Sequence, residues 1–160
     1  MTDIFIKRAE RQDAEQLHYS LTRLSMEMGD THSASLDSLR THGFSPTPAF
    51  FALLAIRDGE TVGALVASPV FSTTRGGAGL YVSDLWVAEG VRGEGLGPRM
   101  LAAALDHAPK SWTVTFLKLA VYHDNPDARR FYERLGFEPR QEETVFEIQG
   151  AALENLRKRP

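Results

Sequence analysis

The pattern of apolar and polar positions predicts an alternation of strands and helices along the chain. Ile4-Phe5-Ile6-Lys7-Arg8 predicts a first strand. A helix starting at Asp13 follows, in which Leu17, Leu21, Leu24 and Met28 recur at helical spacing and Gly29 is the stop. Ser33 or Ser35 is placed to cap a shorter helix carrying Leu36 and Leu39, which gives way to a loop over 43–48. Phe50 to Ile56 is rich in strand-forming residues, Asp58-Gly59 is a hairpin signal, and Thr61 to Phe71 is the returning strand. Residues 72–79 form a glycine-rich connection to a central strand, Gly79 to Val87. Leu96 to His107 is a helix with Met100, Leu101, Ala104 and Leu105 on one side, and Pro109 follows it. Thr113 to Tyr122 is a further β run. Asn125-Pro126-Asp127 opens a helix that Gly136 ends, Thr144 to Ile148 is a last strand, and a polar helix begins near Ala151. The order β-α-α-β-β-β-α-β-α-β implies a mixed α/β sheet with two late crossover helices.

The centre of this pattern is the stretch from Gly79 to Met100. A strand runs into Arg92-Gly93-Glu94-Gly95-Leu96-Gly97, and that loop opens directly onto a helix. Backbone N–H groups and the positive end of a helix dipole then converge on one point suited to a phosphate. The loop lacks the Lys-Ser/Thr ending of a P-loop. It also lacks the Gly-x-Gly-x-x-Gly dinucleotide pattern, since Met100 stands three positions after Gly97.

Composition narrows the class. At 160 residues the chain is expected to form a single domain, residues 1–160, with 42% hydrophobic and 24% charged residues. A net charge of −3 gives no global positive field to recruit nucleic acid or an anionic membrane. The absence of cysteine excludes disulfides, thiolate metal sites and a cysteine nucleophile. The early charges Asp3, Lys7, Arg8 and Glu10 leave no apolar run of signal-peptide type, and no stretch reaches the roughly 18 to 20 apolar residues of a membrane span. A cytoplasmic protein is the expectation. The five histidines, at 18, 32, 42, 107 and 123, show no metal-ligand spacing, so no metal is expected. His123, just before Asn125, is the one expected near a site, although a solvated loop position also accounts for it.

Two separated segments resemble one family. Arg92-Gly93-Glu94-Gly95-Leu96-Gly97 resembles the acyl-CoA pyrophosphate signature of the GCN5-related N-acetyltransferases (GNAT). Asn125-Pro126-Asp127-Ala128-Arg129-Arg130-Phe131-Tyr132-Glu133-Arg134-Leu135-Gly136-Phe137 resembles that family's later motif, with the Asn, Ala, Phe-Tyr and Gly-Phe in register. A narrower resemblance, over residues 48–97, is to the diamine (spermidine/spermine or thialysine) acetyltransferase branch. That branch carries a Glu-Asp pair where this chain has Ser83-Asp84. The resemblance implies a largely antiparallel sheet, splayed at the central strand beyond Leu85 and flanked by helices. It implies an acetyl-CoA-dependent N-acetyltransferase acting on a small-molecule primary amine by direct attack, and it admits a homodimer. An acyl-CoA-binding module without turnover and a protein lysine or N-terminal acetyltransferase are the alternative readings.

The resemblance also assigns residues. Arg92, Gly93, Gly95, Leu96 and Gly97 would cradle the pyrophosphate, while the backbone at Leu85, Trp86 and Val87 would pair with the pantetheine arm like an added strand. Trp86 could equally be plain core. Pro98 has no N–H to give, so one phosphate contact fewer is expected. Asn125 is placed to cap its helix and, by resemblance, to contact coenzyme A. Tyr132 is the candidate acid for the departing thiolate, against a core tyrosine stacked with Phe131. Asp84 is the candidate base or amine anchor, against a structural hydrogen bond, because an alkylammonium with a pKa near 10.4 must lose a proton before it attacks. Glu27, Tyr81 and Ser83 are candidates for the substrate side. Tyr81 and Ser83 lie on the strand face opposite Asp84 unless a bulge intervenes.

Overall fold

A computed structural model describes residues 3–160. The chain divides into two compact units, one running to Ala120 and the other spanning Val121–Pro160. The first holds a five-stranded sheet. In chain order its elements are β1 (Phe5–Arg8), a 3-10 turn (Arg11–Asp13), α1 (Ala14–Met28), α2 (Leu36–Gly43), β2 (Phe51–Arg57), β3 (Glu60–Ser72), β4 (Gly77–Val87), a second 3-10 turn (Glu89–Val91), α3 (Leu96–Asp106) and β5 (Val114–Lys118). The strands lie in sequence order, with the first four antiparallel and β5 parallel to β4 through the α3 crossover.

Local chemistry accounts for the boundaries. α1 stops at Gly29, whose left-handed φ of 73° lets its N–H reach back to the carbonyl of Met26. Ser35, not Ser33, caps α2 by accepting from the Ser38 N–H at 3.0 Å. Asp58 and Gly59 both take positive φ, the conformation of a tight hairpin turn between β2 and β3.

Alternation along the central strands feeds two core layers. Leu17 and Leu21 of α1 and Leu39 of α2 pack with Ala52, Leu54, Ala64, Val66 and Trp86 on one face. The opposite face lies under α3, where Gly63 leaves room for Met100 and Leu96. A Cβ at Gly63 would stand 2.9 Å from the Met100 sulfur and 3.2 Å from both the Ala55 Cβ and a Leu96 methyl. Gly63→Val is therefore expected to cost about 1–3 kcal/mol by overpacking. A lowered urea midpoint with an unchanged slope is the measurement that checks it.

Three expectations need correction. The connection over 72–79 is largely strand, because Ser72 pairs with Gly77 and Phe71 with Ala78, leaving only a tight turn between them. The β run expected to reach Tyr122 ends at Lys118, where pairing with β4 stops. Thr144 to Ile148 is no strand: its apolar positions suit a β segment, but the chain there has no regular secondary structure.

The second unit holds α4 (Pro126–Arg134) and α5 (Gly150–Arg157). No helix among the described residues is long and apolar enough to cross a membrane.

Candidate active site

The site in the first unit is organised by an irregularity in β4. Val66 pairs with Asp84 but Ala67 pairs with Val82, so Ser83 is an extra residue bulged out of the ladder. The bulge resets the alternation. Tyr81, opposite Ser68, and Asp84, opposite Val66, come to share the face that carries α1, and the Ser83 backbone stands between them. Pairing of β4 with β5 runs only from Ala78 to Tyr81. The sheet thus opens after Tyr81, earlier than the expected point at Leu85, and the added twist of the bulge lies at that opening. From Val82 to Val87, β4 has β3 on one edge and no strand on the other among the described residues.

Asp84 faces a cavity of about 390 Å³ lined by α1, α2, β3, β4 and the segments flanking α2. Apolar walls come from Leu21, Ala34, Leu39, Ala49, Phe50 and Val66, and hydroxyls from Ser25, Thr31, Ser33, Ser68 and Ser83. Among its lining residues Asp84 is the one carboxylate. The Ser83 hydroxyl donates to Asp84 Oδ2 at 2.9 Å. Burial pushes the Asp84 carboxyl above its ordinary value, against the opposing pull of the Ser83 hydrogen bond and of charge on His32. A half-buried carboxylate with a hydroxyl partner is suited to receive a cation.

Downstream, the strand leads through Glu89–Val91 into the glycine loop. Gly93 and Gly95 hold φ of 80° and 77°, and nothing stands within 4 Å of where their Cβ atoms would be. Gly95 is the N-cap of α3 and offers no side chain to its first-turn N–H groups, and no acidic residue lies in that turn. Those N–H groups point outward without a cap. Pro98 stands third in α3, where an N–H would have had no helical partner in any case. An uncapped, acid-free helix start behind open glycines fits the diphosphate of coenzyme A. The unpaired edge of β4 likewise fits an extended amide-bearing arm. Replacing Gly95 by valine places a β-branched side chain in a left-handed conformation costing about 1–2 kcal/mol. A free loop can relax to escape that strain, so the cost is expected as weakened coenzyme A affinity, about tenfold per 1.4 kcal/mol, read by titration calorimetry.

Arg92 and Glu27 take up positions the sequence did not assign. Arg92 donates from Nε to the Val87 carbonyl at 3.0 Å and pairs with Glu27 Oε2 at 2.5 Å. The other Glu27 oxygen accepts from the Trp86 indole at 3.3 Å. Glu27 therefore ties the end of α1 to the end of β4 and is not among the residues lining the Asp84 cavity. Trp86 is 4% exposed and belongs to the core, so its side chain is the core residue the sequence allowed for.

In the second unit, Asn125 accepts from the Ala128 N–H at 3.2 Å and caps α4, with Pro126 in the first turn. Tyr132 lies between Phe131 and Phe137, with ring centroids at 4.9 and 5.4 Å. Gly136, at φ 93°, turns the chain so that the Phe137 N–H reaches the Tyr132 carbonyl. Burial raises the Tyr132 phenol above its ordinary value, which keeps its proton in place at neutral pH.

The residue that sequence reasoning passed over is His32. It lines the Asp84 cavity, and its ring packs edge-on against His18 with centroids 5.0 Å apart. The available signal was the stop at Gly29, which doubles the following segment back along α1 and brings His32 to Ser25 and His18. Among the described residues, no group of His, Asp and Glu side chains is arranged to hold a metal ion.

Comparison with known proteins bears on this geometry. The model of the acetyltransferase (GNAT) family matches residues 15–137. An acetyltransferase of Agrobacterium fabrum is 42% identical over 82 residues, 50% of this chain and 52% of that protein. The chain thus spans about half the length of that curated relative. A thialysine N-epsilon-acetyltransferase of Mus musculus is 26% identical over 98% of each chain. An integron cassette protein of Vibrio cholerae, 21% identical, superposes with a TM-score of 0.79 over 99% of this chain and 100% of that one.

Proposed function

This chain belongs to the acetyltransferase (GNAT) family, and from that premise we propose that it transfers the acetyl group of acetyl-CoA directly to the nitrogen of a small primary amine. The observation that carries the reading is the cavity around Asp84. It is walled by apolar residues and hydroxyls and contains one half-buried carboxylate, and it is set by the same strand that leads to the glycine-lined start of α3. The family match crosses the boundary between the two units, which supports reading them as parts of one acyltransferase domain.

When bound, acetyl-CoA supplies an activated acetyl thioester. The backbone N–H groups of Gly93, Gly95, Leu96 and Gly97 hold its diphosphate, with Arg92 at the loop entrance, and the open edge at Leu85, Trp86 and Val87 holds its arm. Asn125 joins this set through its place in the later motif. Asp84 pairs with the acceptor's ammonium and orients the nitrogen, while Ser83 steadies the carboxylate and Tyr81 shares its face. Tyr132 gives its proton to the departing sulfur. A relative named for thialysine supports an amine acceptor. With a single carboxylate in the lining, the cavity suits an acceptor with one ammonium and several hydrogen-bonding groups better than a polyamine.

Thiol release from acetyl-CoA over a panel of spermidine, putrescine, lysine, thialysine, amino alcohols and a lysine peptide tests this reading. The expected result is turnover with a small primary amine and kcat/KM highest for a singly charged, hydroxylated one. Preference for the peptide would replace the small-molecule acceptor. Coenzyme A binding with no thiol release from any amine would replace turnover itself.

A further inference from the structure

The cavity that holds Asp84 is also lined by His32, which pairs with His18 behind it, and the acetyl-transfer reading has as yet no use for these two histidines. His32 Nε2 lies 3.3 Å from His18 Nδ1, and His32 Nδ1 lies 3.5 Å from the Ser25 hydroxyl. Both rings are half-buried. His32 and Ser25 line the cavity, and His32 is close enough to Asp84 for its charge to act on that carboxyl. His18 from α1 and Asp84 from β4 are titratable groups beside His32. The other elements present Leu39, Val66 and Ser68 to the same space.

The donor arithmetic has one consistent solution for a neutral pair with His18 Nδ1 as acceptor. His32 carries its proton on Nε2 and donates it to His18, which leaves His32 Nδ1 as an acceptor beside Ser25. An imidazole whose basic nitrogen lies beside a hydroxyl of the cavity wall, and whose N–H points to a second imidazole, is a chain along which a proton can leave. Imidazole also exchanges protons near neutral pH, where an alkylammonium must be relieved of one.

Building on the acetyl-transfer reading, we propose that His32 is the general base that deprotonates the acceptor's ammonium, and that His18 passes the proton on to solvent. The acceptor enters as R–NH3+, held by Asp84. An N–H bond of the ammonium breaks as an Nδ1–H bond forms on His32. The Nε2 proton of His32 moves to His18 Nδ1, and His18 gives its own Nε2 proton to water. The neutral nitrogen bonds to the acetyl carbon, the carbon–sulfur bond breaks with its electron pair on sulfur, and Tyr132 supplies the proton there. The nitrogen's second proton passes to water and Tyr132 is reprotonated from water, while the pair resets. His18 Nε2 takes a proton from water, His18 Nδ1 returns one to His32 Nε2, and His32 Nδ1 gives its proton up to water. One proton is released per turnover.

The test compares wild type with His32→Ala, His32→Gln and His18→Gln, using the panel amine that wild type turns over fastest. Calorimetric titration with coenzyme A reports that each variant is folded. His32→Ala is expected to lose about 10²-fold in kcat/KM at neutral pH. Its acid limb should move to higher pH, following the amine's own ionisation, and added imidazole should restore activity in proportion to its concentration. His18→Gln should lose less and displace the limb in the same direction. An unchanged acid limb and no response to imidazole, with coenzyme A binding intact, would overturn the proposal and leave the pair as a clasp between α1 and the segment after it. If wild type turns over no amine, the acetyl-transfer reading fails by itself, and imidazole NMR decides the pair. His18 and His32 titrating in coupled steps, with His32 reverting to a single step in His18→Gln, supports the relay. Two independent single steps, unmoved by that substitution, overturn it.

Discussion

Replacing Asp84 by asparagine is expected to lower kcat/KM for the amine about 10²-fold or more, while the fold at neutral pH becomes no less stable. The loss follows from removing the anionic partner of the acceptor's ammonium once the bound acceptor encloses the pair, which costs about 2–5 kcal/mol at an interface, or tenfold per 1.4 kcal/mol. The stability effect follows from burial, which raises the Asp84 carboxyl above its ordinary 3.8 in the folded chain. Below 3.8 the group is neutral in folded and unfolded chains alike and carries no charge penalty. As pH rises through the window from 3.8 to the raised folded value, the folded state holds its proton longer and stability falls. Above that window the penalty is fully present. Asparagine keeps an oxygen to accept from Ser83 and removes the charge. Urea melts should therefore place the variant's midpoint at or above wild type at neutral pH, with the two converging in acid. A variant that is fully active, or one destabilised at neutral pH and not in acid, would make Asp84 a structural residue.

Tyr132→Phe is expected to lower kcat about 10²–10³-fold with coenzyme A affinity unchanged. The ring contacts with Phe131 and Phe137 need no hydroxyl, so phenylalanine preserves the packing of the second unit. Burial holds the phenol's proton to higher pH than usual, so wild-type kcat should persist through mildly alkaline pH and fall only above the ordinary phenol range. The variant should lack that limb. Full turnover in Tyr132→Phe would return the residue to the core.

Much of the fold could be read along the chain because its boundaries are local events. Gly29, Ser35, Asp58-Gly59 and Asn125 each act within one turn of backbone, and each stands where the pattern places it. What escaped the sequence depends on partners distant along the chain. Thr144 to Ile148 has strand composition, yet a strand exists only where another edge pairs with it. The bulge at Ser83 carries no Gly or Pro mark. It inverts the face shared by Tyr81 and Asp84, so the surroundings of the candidate amine anchor could not be read from alternation alone. Arg92 and Glu27 are 65 residues apart, and their pairing needed the fold to appear. His32 escaped for the same reason: fourteen positions separate it from His18, too many for a helical repeat, and the reversal at Gly29 brings them together. The local shape of the glycine loop and of the Asn125–Phe137 segment was legible, with positive φ at Gly93, Gly95 and Gly136 and a cap at Asn125, because it is carried by backbone conformation and by residues spaced along single elements.

The most direct measurement follows isotopically labelled acetyl-CoA to its products in the presence of the preferred panel amine, counting free thiol and N-acetylated amine together. Direct transfer predicts one labelled acetyl group on the amine nitrogen for each thiol released, with none retained on the protein. Thiol release without acetylated amine, or coenzyme A binding without thiol release, would contradict it.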